Sequence, residues 1–89
     1  MPGFILLVRE RKDADPAMRV GFTVTKKIGG AVVRNRMKRR FRALARELVP
    51  SKGLVGADHV MIGRAKGIGR EFSLLRSELG EALDKLRKP

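Results

Sequence analysis

Between Lys26 and Arg46 the chain carries nine Lys/Arg residues and no Asp or Glu. One sign of charge at that density repels itself unless a polyanion lies against it. The same segment has helical periodicity. Val33, Met37, Phe41, Leu44 and Leu48 recur at spacings of 4, 4, 3 and 4. At 3.6 residues per turn they share one face within roughly 80°. The segment is therefore expected to be a folded amphipathic helix from about Ala31 to Val49, closed by Pro50, and not a loose basic tail. Asn35, Arg39, Arg42 and Arg46 project from the face opposite the apolar stripe, and Arg34, Arg36, Lys38 and Arg40 occupy its flanks.

A change of period fixes what surrounds this helix. Val20, Phe22 and Val24 alternate with Gly21, Thr23 and Thr25, the pattern of a strand with one apolar face. Lys26-Lys27-Ile28-Gly29-Gly30 then turns the chain. Upstream, Phe4 to Val8 is an unbroken apolar run that suits a strand covered on both faces, or the start of a buried strand. Asp13-Ala14-Asp15-Pro16 separates the two strands as a turn, so they most simply form an antiparallel pair. His59 to Gly63 reads as a third strand and Ala65 to Gly69 as a loop. Leu75, Leu79, Ala82, Leu83 and Leu86 mark a second helix over about 71–87, with Ser73 as a candidate N-cap. Gly80 weakens that helix by about 1 kcal/mol relative to Ala. The order β-β-α-β-α makes a single α+β domain of the 89 residues.

The net charge of +12 makes RNA or DNA the expected partner, with an anionic membrane surface as the main competitor. No apolar run approaches the roughly 20 residues of a membrane span. Cysteine is absent, which excludes disulfides and thiolate metal sites and fits a reducing cytoplasm. With four Phe and neither Trp nor Tyr, base stacking has few candidates, so phosphate contact should carry most of the affinity.

Before Glu47 the basic helix has no acid at i±3 or i±4, so salt-bridge lacing does not explain its charge. Arginine suits phosphate because its planar guanidinium grips two oxygens at once. Asn35 is open to three roles: a base-edge contact, a metal-bound water, or a cap at the helix start. Lys26 and Lys27 either solubilise a strand end or bind phosphate beside the helix N-terminus. His59 is the one histidine and opens an apolar strand beside Asp58, a structural setting. No paired carboxylates, triad or metal-ligand cluster can be assembled, so no residue is assigned as catalytic.

The run Arg19-Val20-Gly21-Phe22-Thr23-Val24-Thr25-Lys26-Lys27-Ile28-Gly29-Gly30-Ala31-Val32-Val33-Arg34-Asn35-Arg36-Met37-Lys38-Arg39-Arg40 closely resembles the signature of the bacterial ribonuclease P protein subunit. That signature is a strand, a Lys-Lys-x-Gly turn and Ala-Val-x-Arg-Asn-Arg-x-Lys-Arg. The resemblance implies a two-layer α/β sandwich with a four-stranded sheet and a left-handed crossover, shared with a domain of a ribosomal protein. It implies an accessory to a catalytic RNA that removes the 5′ leader from precursor tRNA, with Mg²⁺ held mainly by the RNA. By position it makes Lys26, Lys27, Arg34, Asn35, Arg36, Lys38, Arg39, Arg40, Arg42 and Arg46 the RNA-binding set. Arg34, Lys38 and Arg42 form one ridge, and in the family the cleft beside that ridge receives the leader.

Family members begin with a further helix, bearing aromatic side chains that face the cleft, and a further strand. Here Met1-Pro2-Gly3 leads directly into what matches the family's second strand, and another cleft aromatic falls at about Leu7. Bare apolar sheet costs about 2.5 kcal/mol per 100 Å². An open strand edge accompanies it. Self-association through that side is the expectation that follows. The rival readings are a structural or ribosomal RNA-binding protein, a membrane-surface helix, and a nuclease that depends on His59.

Overall fold

The sheet has the order β1-β3-β2, so the third described strand enters between the first two. In the computed structural model, which describes residues 3–86, these strands are β1 (Phe4–Glu10), β2 (Arg19–Thr23) and β3 (Ala57–Gly63). Helix α1 (Ala31–Lys52) links β2 to β3, and α2 (Phe72–Leu86) closes the described chain. A 3-10 turn, Ala65–Gly67, forms part of the segment expected to be loop. This is the α+β class expected from the sequence, with three strands among the described residues.

The strand pairing differs from the sequence expectation. β1 and β2 are not partners. β1 pairs antiparallel with β3, from Phe4 opposite Gly63 to Glu10 opposite Ala57. β2 pairs parallel with β3, from Arg19 opposite Asp58 to Thr23 opposite Ile62. Adjacent strands usually make a hairpin, but the β1–β2 connection is built to hold a wider span. Arg11 Nη1 donates to Asp58 Oδ1 at 2.8 Å, and Nη2 donates to the carbonyls of Asp15 (3.2 Å) and Ala17 (2.6 Å). The N–H of Asp15 donates to Asp13 Oδ1, and that bond leads the causes that hold the Asp13 carboxyl below its ordinary pKa.

Both helices pack on one face of the sheet. Met37, Phe41, Leu44, Ala45 and Val49 of α1 meet Leu75, Leu79 and Leu83 of α2 over Phe4 and Met61. Phe4 and Phe41 meet edge-on with ring centroids 5.7 Å apart, a favoured aromatic geometry. Gly63 permits the close seating of α1. A Cβ there would stand 2.5 Å from Met37 Sδ and 3.4 Å from Phe41.

Only one face of β1 is covered, contrary to the expectation drawn from its unbroken apolar run. Phe4 is buried and Leu6 packs against the core, whereas Ile5 is 40% and Leu7 53% exposed. Ile62 and Val60 stand opposite them in the register, so a strip of apolar side chains lies on the uncovered side. β1 has its sole described partner in β3, which leaves the edge that motivated the expectation of self-association.

The helix ends also depart from expectation. α1 passes through Pro50 and stops at Lys52, where the N–H of Gly53 donates to the Val49 carbonyl at 2.7 Å. α2 begins at Phe72, with the Glu71 carbonyl accepting from Leu74 and Leu75 at 3.1 Å, so Ser73 sits inside the first turn and is not the cap. Arg87, which the sequence placed at its end, lies outside the described residues.

Candidate nucleic-acid interface

Helix α1 starts at Ala31 with Gly30 as its N-cap, no side-chain cap and no acid in the first turn. Asn35 is therefore in the second turn and is not the cap. Lys26 and Lys27 are exposed on the turn before the helix, where the Ile28 N–H donates to the Thr25 carbonyl at 3.0 Å. The buried stripe from Met37 to Val49 fixes the rotation of α1 about its axis. Asn35, Arg36, Arg39, Arg42 and Arg46 consequently face solvent, and Arg34, Lys38 and Arg40 lie half-buried at the margins.

Among the described residues, none of the nine cations from Lys26 to Arg46 forms an ion pair. Arg34 Nε is buried without a hydrogen-bond partner. From Glu47 onward, acids are available and several are engaged. Glu47 pairs with Arg76 at 2.8 Å, Asp84 with Lys52 at 3.1 Å, and Glu78 with Arg70. The result is one helix face whose positive charge has no internal neutralisation, which is the arrangement that displaces counterions from a nucleic acid.

Arg40 differs from its neighbours. Its Nη2 donates to the Arg70 carbonyl, and its guanidinium carbon lies 5.8 Å from the centre of the Phe72 ring. It ties α1 to α2 as well as adding charge. Sequence reasoning missed Phe72 because it reads simply as the start of the second helix.

On the other flank, an open groove of about 500 Å³ runs between α1 and β2. Met18, Val20, Phe22, Ala45, Val49 and Pro50 line it, and Arg42 and Arg46 complete the lining with no acid among them. β2 is an edge strand, so this side is accessible. Leu7 is not part of this groove. It lies on β1, at the other edge of the sheet.

His59 is fully buried. Its Nε2 accepts from the Leu54 N–H at 3.0 Å and its Nδ1 lies 3.2 Å from the Arg19 carbonyl. Both ring nitrogens serve the fold, in line with the structural reading. Among the described residues, no group of three or more His, Cys, Asp or Glu side chains could hold a metal ion. No described helix is long and apolar enough to cross a membrane.

The family model described as Ribonuclease P matches residues 1–87. A "Ribonuclease P protein component" of Erythrobacter litoralis is 55% identical over 87 residues, covering 98% of this chain and 70% of that protein. Another, from Gluconacetobacter diazotrophicus, is 49% identical over 84 residues, covering 94% and 72%. The structure of the Staphylococcus aureus RNase P protein superposes with a TM-score of 0.79 at 25% identity, covering 98% of this chain and 77% of that one. The Thermotoga maritima RNase P protein gives 0.77 at 29% identity, with 97% and 79% covered.

Proposed function

Because the chain belongs to the ribonuclease P protein family, we propose that its basic helix binds the catalytic RNA of the holoenzyme and that its α1–β2 groove receives the 5′ leader of precursor tRNA. A protein component of ribonuclease P is a subunit of an endoribonuclease holoenzyme with a role in tRNA 5′ processing. The observation that carries the finer reading is the unpaired positive face of α1, rigidly presented by its buried stripe.

In this reading Arg36, Arg39 and Asn35 meet the RNA from the crest of α1. Lys26, Lys27, Arg34 and Lys38 extend the contact toward the helix start. Each phosphate neutralised releases counterions, so affinity rises without any base being read. Arg42 and Arg46 lie one turn apart and grip successive leader phosphates, while the apolar floor accepts the bases. The protein thereby holds two polyanions together that would otherwise repel. Bond cleavage belongs to the RNA partner together with its Mg²⁺. The burial of His59, whose ring nitrogens are both engaged within the fold, supports that division of labour.

The test is reconstitution with the catalytic RNA at low Mg²⁺. The chain should raise cleavage of precursor tRNA, and Arg42→Ala with Arg46→Ala should weaken binding of leader-bearing precursor about tenfold while sparing mature tRNA. Stimulation that is absent would favour a structural RNA-binding role. Equal loss for precursor and mature tRNA would remove the leader from this groove.

A further inference from the structure

Phe4 and Phe41 are fully buried and Phe22 packs against the core, but Phe72 is 41% exposed. It stands at the first position of α2, against the flank of α1 opposite the groove. Arg40 is 5.8 Å from its ring centre and is itself fixed by donating to the Arg70 carbonyl. A cation held near an aromatic ring keeps the ring in place. Two more apolar side chains border the same flank. Val32 is 83% and Ile68 37% exposed. They line a small cavity with Val33, Met37, Gly67, Arg36 and Arg40, and no acid is among these residues.

Exposed apolar groups bordered by arginines have a defined chemistry. A flat π-face beside cations fits an unpaired nucleobase whose own phosphate is anionic. Of the acids around Phe72, Glu78 is paired with Arg70, and Glu47 and Asp84, which line a groove with Phe72, are paired with Arg76 and Lys52. Glu71 and Glu81 form no ion pair among the described residues, so the side of the ring toward Arg36 and Arg40 is the one that accepts an anionic strand. The patch is also continuous with the unpaired face of α1 through Arg36.

We propose that Phe72, held by Arg40, is a stacking platform for one unpaired base of a bound RNA, with Arg36 on the adjacent phosphate. This rests on the reading of α1 as an RNA-binding helix and extends the interface onto α2. It gives the chain a second contact that depends on bases, on the opposite flank of α1 from the apolar floor of the groove.

Two single-stranded probes of equal length separate the ideas: oligoadenylate, and the same backbone with abasic sites. The intact chain should bind oligoadenylate roughly tenfold more tightly than the abasic strand, within the range that one stacked base provides. Phe72→Ala should weaken oligoadenylate binding several-fold and leave abasic binding unchanged. Phe72→Tyr should restore the difference, and Phe72→Leu, which keeps an apolar side chain in α2, should not. Arg39→Ala should weaken both probes equally. If the intact chain binds both probes alike, or if Phe72→Leu matches the intact chain, the platform is overturned. If Arg39→Ala changes neither probe, the reading of α1 fails while the platform is judged on its own arm.

Discussion

The two helices carry charge in opposite ways. Those of α2 are largely neutralised: Arg76 pairs with Glu47, Asp84 with Lys52, and Glu78 with Arg70. From Ala31 to Arg46, α1 forms no ion pair among the described residues. Both helices bury a similar stripe against the same sheet, so the difference is not imposed by packing. Charges that serve the fold find partners within it, and charges left open serve something outside. The unpaired cations repel one another and lower stability slightly, which makes their retention on one face informative.

The largest stability effect should come from breaking a pair that joins α2 to the rest. Glu78 bonds to Arg70, whose carbonyl in turn accepts from Arg40. Glu78→Ala leaves a partly buried guanidinium without its carboxylate and should cost about 1–3 kcal/mol. Chemical denaturation should report that loss, and the abasic probe should bind as before. Weakened binding at unchanged stability would break the division between the helices. A smaller effect of opposite sign is expected at Gly80. It is buried within α2, and an added Cβ would meet nothing closer than Lys52 Nζ at 3.8 Å. Gly80→Ala should raise stability by up to about 1 kcal/mol. A destabilised variant would show that α2 lies closer to α1 than described.

Much of this was legible in the residues. The period-3.6 stripe located α1 and its exposed arginines because burial of Met37, Phe41 and Leu44 leaves one rotation available. The Val20–Phe22 alternation likewise located β2. Strand partnership was not legible. Local alternation carries no record of which strand lies next to which, and the β1–β2 turn is held open by Arg11, whose partners are up to 47 residues away. The Phe4–Val8 run read as doubly buried because hydrophobicity alone does not reveal an uncovered face. Pro50 read as a stop, but α1 continues two residues past it although Pro50 has no N–H to offer the Arg46 carbonyl. Arg40 looked like its neighbours in the charge run, and only the fold shows that it holds Phe72. The groove beside Arg42 and Arg46 needs β2 and α1 in register, which no local pattern supplies.

The most direct measurement is the salt dependence of binding between this chain and the catalytic RNA. For the intact chain, log affinity should fall linearly with log salt concentration. The paired replacement of Arg36 and Arg39 by Ala should reduce that slope by about 1.4–1.8, from roughly 0.7–0.9 per lost phosphate contact. Replacement of Arg76, which is paired with Glu47, should leave it unchanged. Equal slopes for all three proteins would show that the open face of α1 is not where the RNA lies.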